Sequence, residues 1–174
     1  MSEHEFTLVI SGDLSDEEVA RALFEAGCDD ATFAVSAGVG YGEFIRGSPS
    51  ISAAVMSAVH QVESVPSLRV RRVEPDDIVT MAEIAERLDR SRESVRPLAE
   101  GKSGPGGFPA PLSHGRERNR LWRWSDVADW LGNSEPQERE AAPFVAALNA
   151  ALELRHSGNQ LMDETAVKEL LAFV

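Results

Sequence analysis

In the first 77 residues, stretches with the hydrophobic pattern of a β-strand are interspersed with stretches that have the pattern of an amphipathic helix. Four short stretches are predicted to be β-strands: 6–10 is rich in β-forming residues, 31–36 and 68–73 alternate in the manner of a strand with one buried face, and 39–45 follows the second strand after a turn. In two longer stretches the apolar residues recur every three or four positions, as they do in amphipathic helices. The predicted order is therefore strand, helix, strand, strand, helix and strand, at residues 6–10, 16–27, 31–36, 39–45, 51–65 and 68–73.

Capping and turn residues mark the ends of these elements. Ser15, followed by Glu18 three positions later, has the spacing of a capping box at the start of the first helix. Ala37-Gly38 predicts a turn that joins the second and third strands into a hairpin, and Ser50 opens the second helix. The order of elements predicts an α+β fold whose first domain, residues 1–77, is a ferredoxin-like βαββαβ domain with two helices on one face of four antiparallel strands.

Residues 79–98 carry the pattern of two short helices joined by a tight turn. Ala85 is small enough for two helices to cross closely, Asp89 tolerates a positive φ in the turn, and Ser91 can cap the second helix. The apolar face consists of Ile84, Ala85 and Leu88 in the first helix and of Val95 and Leu98 in the second. This spacing predicts a helix-turn-helix.

The stretch after these helices predicts a wing, which is a hairpin with a basic tip. Residues 100–107 are rich in Gly and Pro and are predicted to be irregular. An extended segment at 108–111 and an aromatic-rich strand at 120–124 flank a polar, arginine-rich tip at 113–119. Ser125 is then predicted to cap the last helix of a second domain.

Three motifs lie within this second domain. They are Ile84-Ala-Glu-Arg-Leu with Ser91-Arg-Glu-Ser-Val, then Gly107-Phe-Pro-Ala-Pro, and then Arg120-Leu-Trp-Arg-Trp-Ser-Asp-Val-Ala-Asp-Trp-Leu. In combination they resemble the MerR and excisionase (AlpA-like) class of winged helix-turn-helix DNA-binding domains. The resemblance covers residues 79–132, in a domain predicted at 78–132, and does not extend into residues 1–78 or 133–174. It implies that the helix after Ser91 enters the major groove while the wing reaches phosphate or the minor groove.

The resemblance also implies roles for individual side chains. Arg92, Glu93 and Arg96 are placed near base edges, where Arg can bind guanine O6 and N7 and Glu can accept from cytosine N4. The two serines are better placed for phosphate, and the wing arginines position the protein without reading sequence. Pro97, in the sixth position of the helix, lacks a donor and favours a kinked or shortened helix. The predicted DNA-binding residues are Ser91, Arg92, Glu93, Ser94, Arg96, Lys102, His114, Arg116, Arg118, Arg120 and Arg123.

The charge distribution fits this placement, although the whole chain is acidic, with a net charge of −12. Residues 1–78 contribute −9, from 5 arginines and 14 acidic residues, and residues 133–174 contribute −4. Residues 79–132 carry +1, from 9 basic and 8 acidic residues. Phosphate neutralisation supplies most non-specific affinity for DNA, so the middle segment is the one suited to it.

Residues 133–174 are predicted to form a third, helical segment. A polar linker at 133–140 precedes an amphipathic helix whose first turn contains Pro143. Asp163 is predicted to cap a last helix, so that the two helices make a helical hairpin. Their apolar faces predict burial against the second domain, a second copy or another protein.

No constellation in the sequence has the composition of a catalytic or metal site. Cys28 is the only cysteine, so it has no disulfide or CxxC partner and is interpreted as a small residue at a helix end. Gly38-Val-Gly-Tyr-Gly42 lacks the GK[ST] of a phosphate loop and is interpreted as hairpin. Capping and turns account for the aspartates at 13, 16, 29 and 30, and the four histidines lie in four different elements. The sequence therefore predicts no enzyme, cofactor or metal.

The three tryptophans have two interpretations, core packing or stacking on nucleic-acid bases. Core packing is predicted for Trp122 and Trp130, because of their places in the strand and helix that resemble the wing family. For Trp124 both interpretations stay open.

No apolar run approaches the roughly 20 residues that span a bilayer, and the acidic start Met-Ser-Glu-His-Glu is unlike a signal peptide. We therefore expect a cytoplasmic protein without membrane contact. The predicted function is sequence-specific binding of double-stranded DNA by a bacterial transcriptional regulator. One wing and one recognition helix contact few bases, so a homodimer on a two-fold operator is predicted.

Two alternatives remain open. The chain could be an antitoxin-like or phage-defence protein, whose acidic N-terminal domain or C-terminal helices bind another protein and whose DNA binding is autoregulatory or absent. It could also be an excisionase-like architectural protein that bends DNA without controlling transcription.

Overall fold

The chain is a mixed α+β protein that divides into two compact units. Unit 1 is formed by Met1–Pro75 and Ala147–Val174, and unit 2 by Asp76–Ala146. The computed structural model describes residues 1–113, 119–132, 136–158 and 164–172.

Unit 1 contains an antiparallel sheet of four strands in the order β2-β3-β1-β4. Its elements are β1 (Ser2–Ser11), α1 (Glu17–Glu25), β2 (Ala31–Ser36), β3 (Val39–Ser48), α2 (Ile51–Ser64) and β4 (Arg69–Glu74). Their order along the chain is the predicted one. The two central strands are longer than predicted, because β1 and β3 pair along their whole length, from Ser2 opposite Ser48 to Ile10 opposite Gly40.

The predicted turn between β2 and β3 is confirmed. Ala37 and Gly38 have φ angles of 51° and 81°, as the two central residues of a type I′ hairpin do. The glycines that follow the turn leave room for neighbouring side chains, because a Cβ at Gly42 would lie 2.6 Å from the ring of Phe33. The segment interpreted as hairpin is therefore part of strand β3.

Alternate residues of the strands form the core of unit 1. Phe6 stacks on Phe44 with ring centroids 5.2 Å apart, and Phe33 meets the edge of Phe44 at 5.8 Å. Helix α2 contacts β1, β3 and β4. It contributes five buried side chains, Ala54, Val55, Ala58, Val59 and Val62.

The start of α1 corrects one sequence prediction. Asp16, not Ser15, is the N-cap, and its side chain accepts from the Glu18 N–H at 2.8 Å. Ser15 instead donates both its N–H and its hydroxyl to Asp13, at 2.9 and 2.6 Å, which holds its side chain against the preceding turn. Beyond the helix end Cys28 is buried, and this burial raises the pKa of its thiol to about 11. The cysteine thus lies just after the helix end, as predicted, and the structure adds that it is buried.

Unit 2 contains the predicted pair of short helices. Its elements are β5 (Ile78–Thr80), α3 (Met81–Arg87), α4 (Arg92–Ala99), β6 (Leu121–Arg123) and α5 (Trp124–Leu131). Thr80 and Glu83 form a capping box at the start of α3. Asp89, between the two helices, has the predicted positive φ, at 49°. The core is formed by Val79, Ile84, Ala85, Val95, Trp122 and Val127.

The partner of strand β6 differs from the prediction. A hairpin with residues 108–111 was expected, but β6 pairs antiparallel with β5, and Trp122 lies opposite Val79. Two proline rings explain the difference, because Pro109 and Pro111 have no N–H to donate to a strand ladder. Only one backbone bond joins the two described segments, from the Leu112 N–H to the Leu121 carbonyl at 2.7 Å. Residues 114–118, most of the predicted basic tip, lie outside the described residues.

The C-terminal helices are α6 (Pro136–Gly158) and α7 (Glu164–Leu171). The predicted linker was wrong over residues 136–140, where α6 has already begun, and Pro143 lies inside the helix. Proline at position 136 suits a first helical turn, and the following Gln-Glu-Arg-Glu-Ala-Ala is a run of strong helix formers. Asp163, the predicted cap of the last helix, lies outside the described residues. No helix in the described ranges is long and apolar enough to cross a membrane.

Candidate nucleic-acid interface

Helix α4 is fixed to unit 2 by one side of its surface. Val95 is completely buried, and the helix packs against α3. The Ser91 hydroxyl caps the helix by accepting from the Ser94 N–H at 3.3 Å. Helical structure continues through Pro97 to Ala99, so the proline does not end the helix.

The opposite side of α4 is exposed. Five of the predicted DNA-binding residues lie there together, and they are Ser91, Arg92, Glu93, Ser94 and Arg96. The serine hydroxyls also form hydrogen bonds at the N-terminus of α4, where Ser94 donates its hydroxyl to the Ser91 carbonyl at 2.8 Å. Both hydroxyl oxygens still have acceptor capacity. The structure thus brings the predicted base-reading residues onto one face.

A carboxylate beyond the helix end joins two of the predicted cations. Glu100 accepts from Arg96 Nε at 2.9 Å and pairs with Lys102 Nζ at 2.6 Å. The hydrogen bond from Lys102, followed by that from Arg96, lowers the pKa of the Glu100 carboxyl to about 2. Sequence analysis missed this residue, although its place four residues after Arg96 on a helix was a usable signal. Both cations therefore have a carboxylate partner within unit 2.

The described wing arginines are also partly engaged. Arg123 donates to the Asp77 carboxylate at 3.0 Å and remains 42% exposed. Arg120, immediately before β6, is half-buried. His114, Arg116 and Arg118 lie outside the described residues, so their predicted role stays a prediction.

Asp77 is the main structural residue that sequence analysis missed. The sequence placed it at the end of the first domain, but its side chain is 1% exposed and its Oδ1 accepts from the Ser125 N–H at 2.8 Å in unit 2. Its backbone carbonyl accepts from the Trp124 N–H at 2.7 Å. The predicted Ser125 cap was therefore wrong: α5 begins at Trp124, and a distant carboxylate satisfies its first turn.

The three tryptophans have different environments. Trp122 is buried in the core, as predicted. Trp130 donates its Nε1–H to the Gly106 carbonyl at 2.8 Å and meets the ring of Phe108 at 5.0 Å, so it anchors the glycine-rich loop. The guanidinium of Arg87 covers Trp124 at 5.1 Å, which answers the open question in favour of packing within the protein.

An exposed cation next to α4 was not among the predicted residues. Arg90 lies in the turn between α3 and α4, two residues before Arg92, and its side chain is exposed. Both are close in sequence to the N-terminal turn of α4. The arginine-rich turn therefore extends the basic character of the exposed face beyond the residues that the family resemblance implied.

The exposed side of α4 and the residues next to it carry cations, serines and two acids, Glu93 and Glu100. Among the described residues, no group of three His, Cys, Asp or Glu side chains could hold a metal ion. Comparisons of the chain with protein-family models, curated proteins and solved structures find no match. The resemblance of residues 79–132 to the MerR and excisionase class therefore stays a prediction from the sequence.

Proposed function

We propose that unit 2 is a winged helix-turn-helix domain that binds double-stranded DNA through α4, and that the chain is a dimeric transcriptional regulator in the cytoplasm. The observation that carries this proposal is the exposure of α4. Val95 packs in the core of unit 2, whereas the other side chains from Ser91 to Arg96 are exposed to solvent. A recognition helix needs this arrangement, because its N-terminal residues must reach base edges without disturbing the fold.

Two features of the backbone support the finer parts of the proposal. Pairing of β6 with β5 fixes the strand that follows the predicted wing tip to the core of unit 2. In unit 1, the strand order β2-β3-β1-β4 with a helix after β1 and another after β3 supports a ferredoxin-like domain. That domain would serve dimerisation, sensing or partner binding.

Selection of bound duplexes from a random pool tests the proposal. We expect Arg96→Ala to reduce discrimination between selected and random duplexes by about tenfold, since a good base contact contributes roughly 1–3 kcal/mol. Arg118→Ala, at the predicted wing tip, should instead weaken binding to all duplexes and reduce the salt slope by about one. Arg21→Ala, an exposed charge-matched change in α1, should alter neither.

Equal losses on selected and random duplexes for both variants would contradict this division between reading and positioning. A wild-type chain that retains no duplex even at low salt would contradict DNA binding itself. That result would favour the antitoxin-like alternative, which a gel shift with and without the product of the neighbouring gene would then examine.

The Glu100 contacts lead to a separate prediction. Glu100→Gln should raise affinity for all duplexes by about three- to tenfold and steepen the salt dependence, because Lys102 loses its ion pair and can neutralise phosphate. Arg96, the proposed base contact, also loses its bond to Glu100, so discrimination between duplexes should not fall. Because the pKa of Glu100 lies at about 2, this carboxylate stays charged between pH 5 and 8, and changing pH in that range should not mimic the variant. Binding isotherms at several salt concentrations provide the measurement.

Glu86→Gln is the matched control, since it makes the same charge change at an exposed position of α3. An equal gain in both variants would mean that only the total charge matters. Unchanged affinity in Glu100→Gln would show that these two cations do not meet DNA.

A further inference from the structure

The two edges of the sheet in unit 1 differ. At the outer edge of β4, side chains form hydrogen bonds with the backbone groups that another strand would need. Asn149 on α6 accepts from the Val73 N–H at 2.8 Å and donates to the Val73 carbonyl at 3.0 Å. Glu63 accepts from the Val70 N–H at 2.9 Å, and Arg155 donates to the Val70 carbonyl at 2.7 Å. Another strand therefore cannot pair there without displacing these contacts.

The edge formed by β2 has no such cover in the described part of the chain. The Ile45 N–H donates to the Asp30 carbonyl, so the backbone groups of residue 30 point towards β3. Because these directions alternate along an antiparallel strand, the N–H and C=O groups of residues 31, 33 and 35 point outwards. β2 thus presents three donors and three acceptors to a further strand.

The side chains of β2 also lack the usual obstacles to pairing. Its sequence, Ala-Thr-Phe-Ala-Val-Ser, contains no charge, proline or glycine, although residues 1–78 carry a net charge of −9. Charges, prolines and bulges are the devices by which proteins block a free edge. Val35 is 54% exposed, and it is one of the largest exposed apolar residues of the unit.

We propose that β2 pairs antiparallel with β2 of a second copy of this chain, which joins two four-stranded sheets into one eight-stranded sheet. With the two-fold axis at Phe33, the pairs are Phe33 with the partner's Phe33, and Ala31 with the partner's Val35. This register uses all six outward-pointing groups and keeps the buried faces of both sheets on the same side.

Charge and packing select a second copy as the occupant. A neutral strand is the part of this acidic unit where two copies can meet without charge repulsion along the ladder. The aromatic row Phe6, Phe44 and Phe33 ends at this edge, with centroid distances of 5.2 and 5.8 Å. The symmetric register continues that row into the partner, since directly opposed aromatic side chains contact each other across antiparallel strands.

This inference adds a specific surface to the dimer of the proposed function, but it does not depend on DNA binding. Association is measured without DNA, so failure of the interface and failure of DNA binding are separate results. A dimer that retains no duplex would count only against the proposed function. A monomer that retains duplex would count only against the interface.

Sedimentation equilibrium at roughly 1–100 µM, where interfaces of modest size associate, tests the proposal. The wild-type chain should reach twice its mass of 18.9 kDa. Val35→Glu should remain at the monomer mass, because its carboxylate faces the acidic end of the partner's β2. Val39→Glu is the matched control: Val39 is 48% exposed on β3, away from the edge, and this variant should dimerise like wild type. Far-UV circular dichroism checks that both variants fold.

Disulfide trapping tests the register. In the proposed register Phe33→Cys places two Cα atoms about 5.5 Å apart, within the range of a disulfide, and oxidation should yield covalent dimer. Thr32→Cys places its two Cα atoms roughly 8 Å apart and should cross-link poorly. The native Cys28 is buried and does not interfere.

A wild-type chain that stays monomeric over this range overturns the proposal and leaves the edge to an extended peptide of another protein. Dimers that persist in Val35→Glu, or that are lost in Val39→Glu instead, also overturn it by moving the interface away from β2.

Discussion

Replacing Asp77 by alanine is expected to lower the free energy of unfolding of unit 2 by about 2–3 kcal/mol, the largest loss we predict for a single side chain. The buried carboxylate accepts from the first turn of α5 through the Ser125 N–H and from the guanidinium of Arg123. Removal leaves the N–H without its acceptor and Arg123 without its counter-charge. Because Arg123 is 42% exposed, water compensates it in part, which keeps the expected loss below that of a fully buried ion pair.

Tryptophan fluorescence isolates this effect, because all three tryptophans of the chain lie in unit 2. Urea or thermal unfolding followed by their emission should shift in Asp77→Ala by roughly 10 °C in Tm. Asp77→Asn keeps an oxygen for Ser125 and should lose less. Glu86→Ala removes an exposed charge from α3 of the same unit and should change stability little. Equal shifts for the alanine variants at 86 and 77 would assign the effect to charge alone.

Replacing Asn149 by alanine is expected to destabilise unit 1 by about 2 kcal/mol. Asn149 is 8% exposed and satisfies both backbone groups of Val73, so its removal leaves a buried donor and a buried acceptor at the sheet edge. Asn149→Asp should be worse, because a carboxylate oxygen would then face the Val73 carbonyl where the amide now donates.

Hydrogen exchange of the Val73 amide is the most direct measurement, and it should accelerate in Asn149→Ala together with a fall in thermal stability. Glu153→Ala, an exposed change one turn further along α6, should leave exchange in β4 unchanged. Protection of Val73 equal to wild type in Asn149→Ala would contradict the covering role. The variant should also aggregate more readily, since it exposes an edge of the sheet.

The contacts of Glu63 and Arg155 with Val70 at the edge of β4 depend on pH. Burial raises the pKa of Glu63, but the bonds from Arg155 and the Val70 N–H outweigh it, so the pKa lies below its ordinary value of 4.5. A carboxyl whose pKa is depressed in the folded state stabilises the protein above the unfolded-state pKa. That contribution is lost as the pH falls below about 4.5 and through the folded-state pKa.

Much of this structure could be predicted from short stretches of sequence, because the interactions that form turns and helices join residues only a few positions apart. The hairpin between β2 and β3, the order of elements in unit 1 and the positive φ of Asp89 follow from turn chemistry and periodicity within a few residues. The exposed face of α4 also follows from its apolar spacing, since Val95 alone of its first turns enters the core.

Errors arose where a residue's partner is distant in sequence. Ser15 and Ser125 were plausible caps by spacing, yet Asp13 engages the first and Asp77 replaces the second, from 48 residues away. Strand β6 was paired with the nearest extended segment, whereas its partner β5 lies more than 40 residues upstream. Neighbouring residues alone cannot show which group caps a helix or which strand pairs with β6, because the nearby and the distant candidates can accept hydrogen bonds or pair equally well.

The sequence by itself determined the order of helices and strands in unit 1, the two short helices α3 and α4 of unit 2 and which of their faces are apolar, because propensity, capping and periodicity act over a few residues. Only the tertiary structure decided how polar groups were matched. It buries the Asp77 carboxylate in unit 2, although the sequence placed this residue at the end of the first domain, and it pairs Arg96 and Lys102 with Glu100. It also covered the outer edge of β4 with Asn149 and Arg155, whereas β2, at the other edge of the sheet, has no such cover among the described residues. The physical reason is that buried donors and acceptors must be satisfied by whichever groups the fold brings within about 3 Å, regardless of their separation along the chain.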